Sequence, residues 1–124
     1  MVSFEAFRAV DGAPVYLQII NFIKRGAIAG TIRDGDELPS RRVLSALLGI
    51  NPNTVQKAFH ILEEEHMMES RTGAKSCMTL PPDTLDALRR EVLSDELRAM
   101  ARTLRQLGIS KEEALRLIEQ EANT

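Results

Sequence analysis

From Pro14 to Ala29 the apolar residues Tyr16, Ile19, Ile20, Ile23 and Ala27 recur at steps of three and four, which lays one stripe along an α-helix. Pro14 suits a first helical position and Gly30 a C-terminal stop, so this stretch is the first predicted helix. In "TIRDGDEL" the Asp34-Gly35 pair lies between Ile32 and Leu38 and predicts a bend with at most a short strand. Ser40 is a good cap for a second helix of about nine residues, which runs through Val43, Leu44, Leu47 and Leu48 until Gly49 ends it. After only "GIN", Asn51 as cap and Pro52 as first helical residue open a third helix. On it Val55, Ala58, Phe59 and Leu62 fall on one side. Two helices joined by a short Gly-containing turn predict a helix-turn-helix.

The pattern then changes twice. Met67 to Arg71 and Ser76 to Leu80 read as two short strands joined at Thr72-Gly73-Ala74-Lys75, a hairpin with a Gly-bearing tip between Arg71 and Lys75. Beside a recognition helix such a hairpin is a wing that touches the DNA backbone or minor groove; the plainer alternative is a hairpin with basic residues for solubility. At "LPPD", residues 80 to 83, almost pure helix begins. From Asp83 to Leu107 neither Pro nor Gly interrupts, and Leu93, Leu97, Met100, Leu104 and Leu107 repeat at heptad-like steps of four, three, four and three. Leu85, Leu88 and Val92 form a second stripe, expected to pack on the preceding domain. Gly108 stops this helix, and "SKEE", Ser110 to Glu113, is a capping-box signature for a final short helix with Ala114, Leu115 and Ile118 inward. The predicted fold is mainly α with a small β-hairpin wing: a winged helix-turn-helix domain over residues 1–80 and a two-helix tail over 81–124.

Composition adds constraints. The 124 residues, 44% of them hydrophobic, suffice for one domain with an appendage. No run of 18 apolar residues occurs and "MVSFEAFRAV" lacks a signal layout, so the expected location is the cytoplasm. Cys77 is the single cysteine, which excludes an intrachain disulfide and fits a buried strand position. The net charge of −2 conceals its distribution, since residues 1–80 hold nine basic and nine acidic side chains and residues 81–124 hold seven and nine. Between Leu38 and Leu62 stand Arg41, Arg42 and Lys57 and no acid at all. On the third helix Asn53, Gln56, Lys57 and His60 lie opposite the apolar side. A solvated face usually mixes Glu with Lys; this one has two amides, a lysine and a histidine, able to meet phosphates and base edges without repulsion.

The stretch "PVYLQIINFIKRGAIAGTIRDGDELPSRRVLSALLGINPNTVQKAFHILEE" resembles the winged helix-turn-helix domain of the GntR family of bacterial transcription regulators. Its most specific parts are "G-D-x-L-P-S-x-R-x-L" from Gly35 to Leu44 and "N-P-N-T-V-Q-K-A-F" from Asn51 to Phe59, the latter similar to the YtrA-type branch, whose members add a short helical tail. The resemblance covers residues 14 to about 79. It implies that Arg42 and polar residues of the third helix contact DNA and that the protein is a homodimer. Two departures stand out: His66 replaces the Gly usual after "L-E-E-E", and Lys75 replaces the wing's usual second Gly.

The expected DNA-binding residues are therefore Arg42, Asn53, Thr54, Gln56 and Lys57 at the major groove. Arg41, Arg71, Gly73 and Lys75 support them at the backbone or minor groove, and Asn51 is counted with them at the start of the third helix. An acid between Leu38 and Leu62 would repel the phosphates, whereas Glu63, Glu64 and Glu65 are expected at the helix end turned away from them. The stripe Leu93, Leu97, Met100, Leu104 and Leu107 is expected to form a homodimer interface, burial within one chain being the alternative. His60 and His66 make no metal-ligand pattern, no Gly-rich phosphate loop or nucleophile elbow occurs, and Ser40 and Ser110 are explained as helix caps. No metal, cofactor or enzymatic activity is expected. The sequence thus reads as a transcription regulator, more in keeping with a repressor, bound to double-stranded DNA at an inverted repeat. A small-molecule effector would have only a small cleft between tail and DNA domain. The reading from another class is a winged-helix module that binds protein instead, which DNA affinity falling steeply with salt would exclude.

Overall fold

The stripe at the head of the chain becomes α1 (Val15–Ala29), with Ile19, Ile20, Ile23 and Ala27 buried and Gly30 closing the helix at φ 84°. The structure, a computed structural model, describes residues 1–71 and 75–123. Next come β1 (Glu37–Leu38), α2 (Arg41–Leu48), α3 (Pro52–Glu64), β2 (Met68–Arg71), β3 (Lys75–Met78), α4 (Pro82–Gln106) and α5 (Lys111–Ala122). The chain divides into two compact units, residues 1–88 and 89–124.

In the first unit α1 and α2 both pack on α3, and Phe59, Ile19, Ile23, Leu44, Leu62, Met78 and Val55 are its largest fully buried side chains. The three strands form an antiparallel sheet in the order β1-β3-β2. The expected short strand after the Asp34-Gly35 bend is β1, which pairs with β3, Glu37 opposite Cys77 and Leu38 opposite Ser76. The bend itself is tied to the same strand. Gly35 N–H donates to the Met78 carbonyl at 2.8 Å, and Leu80 N–H donates to Asp34 Oδ1 at 2.7 Å. The hairpin strands are offset slightly from the sequence expectation: β2 starts at Met68, and Lys75, assigned to the tip, opens β3 opposite Arg71. Cys77 is buried in β3. Gly73 and the rest of residues 72–74 lie outside the described residues.

The first residues of the chain have a role that periodicity did not indicate. Phe4 and Phe7 are buried with their ring centroids 5.3 and 5.5 Å from that of Phe22 on α1, contacts worth about 0.5–1.5 kcal/mol each beyond area burial. Val2 N–H donates to the Glu37 carbonyl at 2.7 Å, so the arm is tied to the sheet edge at β1. Gln18 fastens the other end of the arm: its Oε1 accepts from Val10 N–H at 2.9 Å and its Nε2 donates to the Val10 and Ala13 carbonyls.

Leu88 is buried and Leu85 half-buried in the first turns of α4, which belong to the first unit. In the second unit Gly108 stands at φ 72°, and Ser110 Oγ accepts from Glu113 N–H at 3.2 Å, so the predicted stop and cap both form. Ala114 is buried at 7%, but Leu115 and Ile118, expected inward, are 56% and 48% exposed. The reason is geometric: two helices alone can cover only one side of each other, and α5 spends that side on Ala114.

At the end of α3 the chain reverses through a left-handed residue. Glu65 is the C-cap and His66 adopts φ 60°. His66 N–H donates to the Glu63 carbonyl at 3.0 Å and Met67 N–H to the Leu62 carbonyl at 2.9 Å, the bond pair of a Schellman motif. A residue with a Cβ pays roughly 1–2 kcal/mol for this conformation, and Gly does not. His66→Gly is therefore expected to raise the unfolding free energy by about 1 kcal/mol. Urea denaturation checks this, and a midpoint at or below the parent's would contradict it.

Candidate nucleic-acid interface

Two caps and one glycine aim the helices. Ser40 is extended (φ −61°, ψ 157°) and its Oγ accepts from Val43 N–H at 3.1 Å, starting α2. Gly49 turns the chain at φ 66°, and Asn51 Oδ1 accepts from Asn53 N–H at 2.8 Å with Pro52 as first residue of α3. Asn51, expected among the DNA-binding residues, thus commits its side-chain oxygen to the cap.

Burial fixes the roll of α3. With Val55, Ala58, Phe59 and Leu62 in the core, Asn53, Gln56, Lys57 and His60 are exposed and line one open depression. Thr54 is half-buried at its flank. A second hollow joins Ser40, Arg41 and Arg42 at the start of α2 to Ser70 and Ser76 of the sheet. The two serines are register partners on β2 and β3; the Ser76 hydroxyl can donate to a phosphate, and that of Ser70 can do so in exchange for its bond to Glu63. The sequence pattern had not singled them out; only the pairing of the two strands brings them together beside the arginines.

Each glutamate at the end of α3 has a basic partner. Glu65 pairs with Lys24 of α1 at 3.1 Å. Glu63 faces Arg41 at 3.7 Å and accepts from Ser70 Oγ at 3.1 Å. These two lean toward α1 and toward the α2–sheet side. Glu64 does not turn away: it stays one turn beyond His60, whose Nε2 is 2.6 Å from its Oε1. The wing cations are held by acids of their own sheet, Arg71 by Glu69 at 3.6 Å and Lys75 by Glu37 at 3.8 Å. These partners are exposed, and such pairs are worth only about 0–1 kcal/mol, so exchange for phosphate costs little. Lys57 is held differently, its Nζ standing 4.1 Å from the centroid of the Tyr16 ring on α1.

Among the described residues no three His, Cys, Asp or Glu side chains gather as metal ligands, and no helix is long and apolar enough to cross a membrane.

Residues 15–75 match the family model described as bacterial regulatory proteins, gntR family. The chain is 29% identical over 102 residues to the HTH-type transcriptional regulator YhcF of Bacillus subtilis, covering 82% of this chain and 84% of that protein. It is 41% identical over 63 residues to the HTH-type transcriptional repressor YtrA of the same organism, 51% of this chain and 48% of that one. A solved GntR family transcriptional regulator from Listeria monocytogenes superposes with a TM-score of 0.80 at 28% identity, over 90% of this chain and 98% of the other.

The cap at Asn51 generates a stability prediction separate from DNA contact. Asn51→Ala should lower the unfolding free energy by about 1 kcal/mol through loss of the Asn53 N–H acceptor, while Asn51→Asp should retain it. Thermal unfolding of the two variants without DNA checks this; equal stability of Asn51→Ala and parent would remove the capping role.

Proposed function

The chain carries a winged helix-turn-helix domain of the GntR family and is a DNA-binding transcription regulator, and from that premise we propose that it is a cytoplasmic homodimeric repressor of an inverted-repeat operator. The observation that carries the proposal is the exposed face of α3, where Asn53 and Gln56 share one depression with Lys57 and His60. Amides in that position make bidentate contacts to adenine, so Asn53 and Gln56 read bases, with Thr54 at the flank. Lys57 meets a phosphate. Arg41 and Arg42 with Ser70 and Ser76 hold the backbone where α2 meets the sheet, and Arg71, Gly73 and Lys75 of the wing reach the backbone or minor groove. The repressor assignment is supported by the name of YtrA and by the simplest action of such a protein, occupation of its site.

The dimer is supported by the second unit. Leu97 and Leu107 are 62% and 67% exposed, Leu93 and Met100 are also exposed, and Leu104 is half-buried. Leu97, Met100 and Leu104 line a cleft of about 290 Å³ together with Ala114, Leu115 and Ile118 of α5. Monomeric proteins rarely leave so continuous an apolar surface in water. A second copy offers the same stripe in two-fold arrangement, which relates two recognition helices by one axis and makes the bound site an inverted repeat.

Two experiments test these assignments. On the site selected from a random DNA pool, Gln56→Ala or Asn53→Ala should relax preference at one position per half-site by about 1–3 kcal/mol. Equal losses on selected and random DNA would refute base reading by these amides. For the dimer, Leu97→Glu with Leu104→Glu places like charges in the apolar seam at a cost of several kcal/mol. This variant should sediment as a folded monomer and bind the inverted repeat weakly in gel shift, whereas a dimer with parental affinity would place the interface elsewhere.

A further inference from the structure

Tyr16 lies in the first turn of α1 as part of an apolar stripe, yet it is only half-buried, and its ring faces the ammonium of Lys57. Three of the other cations along this surface have acidic partners, Arg41 with Glu63, Arg71 with Glu69 and Lys75 with Glu37, while Arg42 stands beside Arg41 without one among the described residues. An acidic partner travels with its cation and repels the phosphate that the cation approaches. An aromatic ring attracts the ammonium through its quadrupole while carrying no charge of its own, so Lys57 brings no opposing charge to a ligand and keeps N–H donors for it. The lysine stem is otherwise flexible, and ordering it on binding costs affinity; a stem already held loses less.

The direction of the hold matters as well. Lys57 shares the open depression of α3 with Asn53 and Gln56, and its ammonium lies within that depression against the Tyr16 ring, at the edge that borders α1. An ammonium at the edge of a recognition helix is placed for the phosphate chain flanking the groove, not for the base edges at its floor. We propose that Tyr16 is a positioning residue for DNA binding: its ring holds Lys57 ordered, without an acid beside it, for a backbone phosphate, which extends the nucleic-acid surface onto the start of α1. This rests on the reading of Lys57 as a phosphate contact given above.

The test uses a labelled random-sequence duplex, because a phosphate contact does not depend on base sequence, and follows binding by fluorescence anisotropy over a salt series. Lys57→Met should reduce the slope of log affinity against log salt by about one. Tyr16→Leu should weaken binding about two- to tenfold, the ordering cost of one long side chain; in the Lys57→Met background it should weaken binding no further. Tyr16→Phe, which keeps the ring, should bind like the parent. Equal losses from Tyr16→Leu in both backgrounds would assign the ring to support of the fold and overturn the proposal, and so would a Tyr16→Phe protein as weak as Tyr16→Leu. A Lys57→Met protein with the parental salt slope would instead refute the phosphate reading of Lys57 itself. Proton NMR of the parent protein without DNA gives a check that needs no substitution at Tyr16. The Lys57 side-chain methylene resonances nearest the ammonium should be shifted upfield by the ring current, and unshifted resonances would overturn the hold.

Discussion

Everything on the DNA-binding side depends on how α3 is rolled, and its roll is fixed by burial of Val55, Ala58, Phe59 and Leu62 against α1 and α2. Three of these side chains are fully inaccessible and Phe59 almost so. Fully burying a large apolar side chain contributes roughly 1.5–3 kcal/mol, so rotating the helix by even one residue would expose several such contributions at once. The polar residues have no comparable say in the matter. Asn53, Gln56, Lys57 and His60 are presented to solvent because the opposite side is committed to the core. A regulator built this way can alter its recognition residues without disturbing the packing that aims them.

The charges show a second constraint. A protein of net charge −2 must approach a polyanion, and it does so by engaging its acids locally. Glu63 and Glu65 are occupied by Arg41 and Lys24, Glu64 stands beside His60 on the recognition face, and Glu63 borders the hollow of Arg41 and Ser70. The stretch from Leu38 to Leu62 is free of acids in sequence; in space the freedom is narrower, because the turn of a helix brings the next residues of α3 back to the same face. That is why the expectation of three acids facing away does not hold for Glu64, beside His60, nor for Glu63, which stands against Arg41 and Ser70.

The second unit follows the same rule of burial with a different result. Two helices cannot enclose their own apolar residues, so α4 and α5 bury Ala114 and leave Leu97, Met100, Leu107, Leu115 and Ile118 in contact with water. The first unit covers more of its apolar surface within the chain, folding Phe4 and Phe7 onto Phe22, and leaves Val43 and Leu47 of α2 exposed.

Local chemistry determined what could be read from the sequence by itself. The caps at Ser40, Asn51 and Ser110 and the stops at Gly30, Gly49 and Gly108 all involve residues within a few positions of one another. The same short range made the five helices, the hairpin and the exposed face of α3 legible, since a helical period of 3.6 residues assigns each side chain to a face before any neighbour is known. His66 was visible only as a departure from a family pattern; that it adopts the left-handed turn itself, Cβ included, was decided by the need to deliver Met67 to the core. The remaining features join parts of the chain that are distant in sequence: β1 on β3, the arm on α1, Ser70 beside Arg41, and Lys57 over Tyr16. Periodicity gives the face on which a side chain lies but not which other element will stand opposite it. Only the packing of the elements against each other settled those pairings.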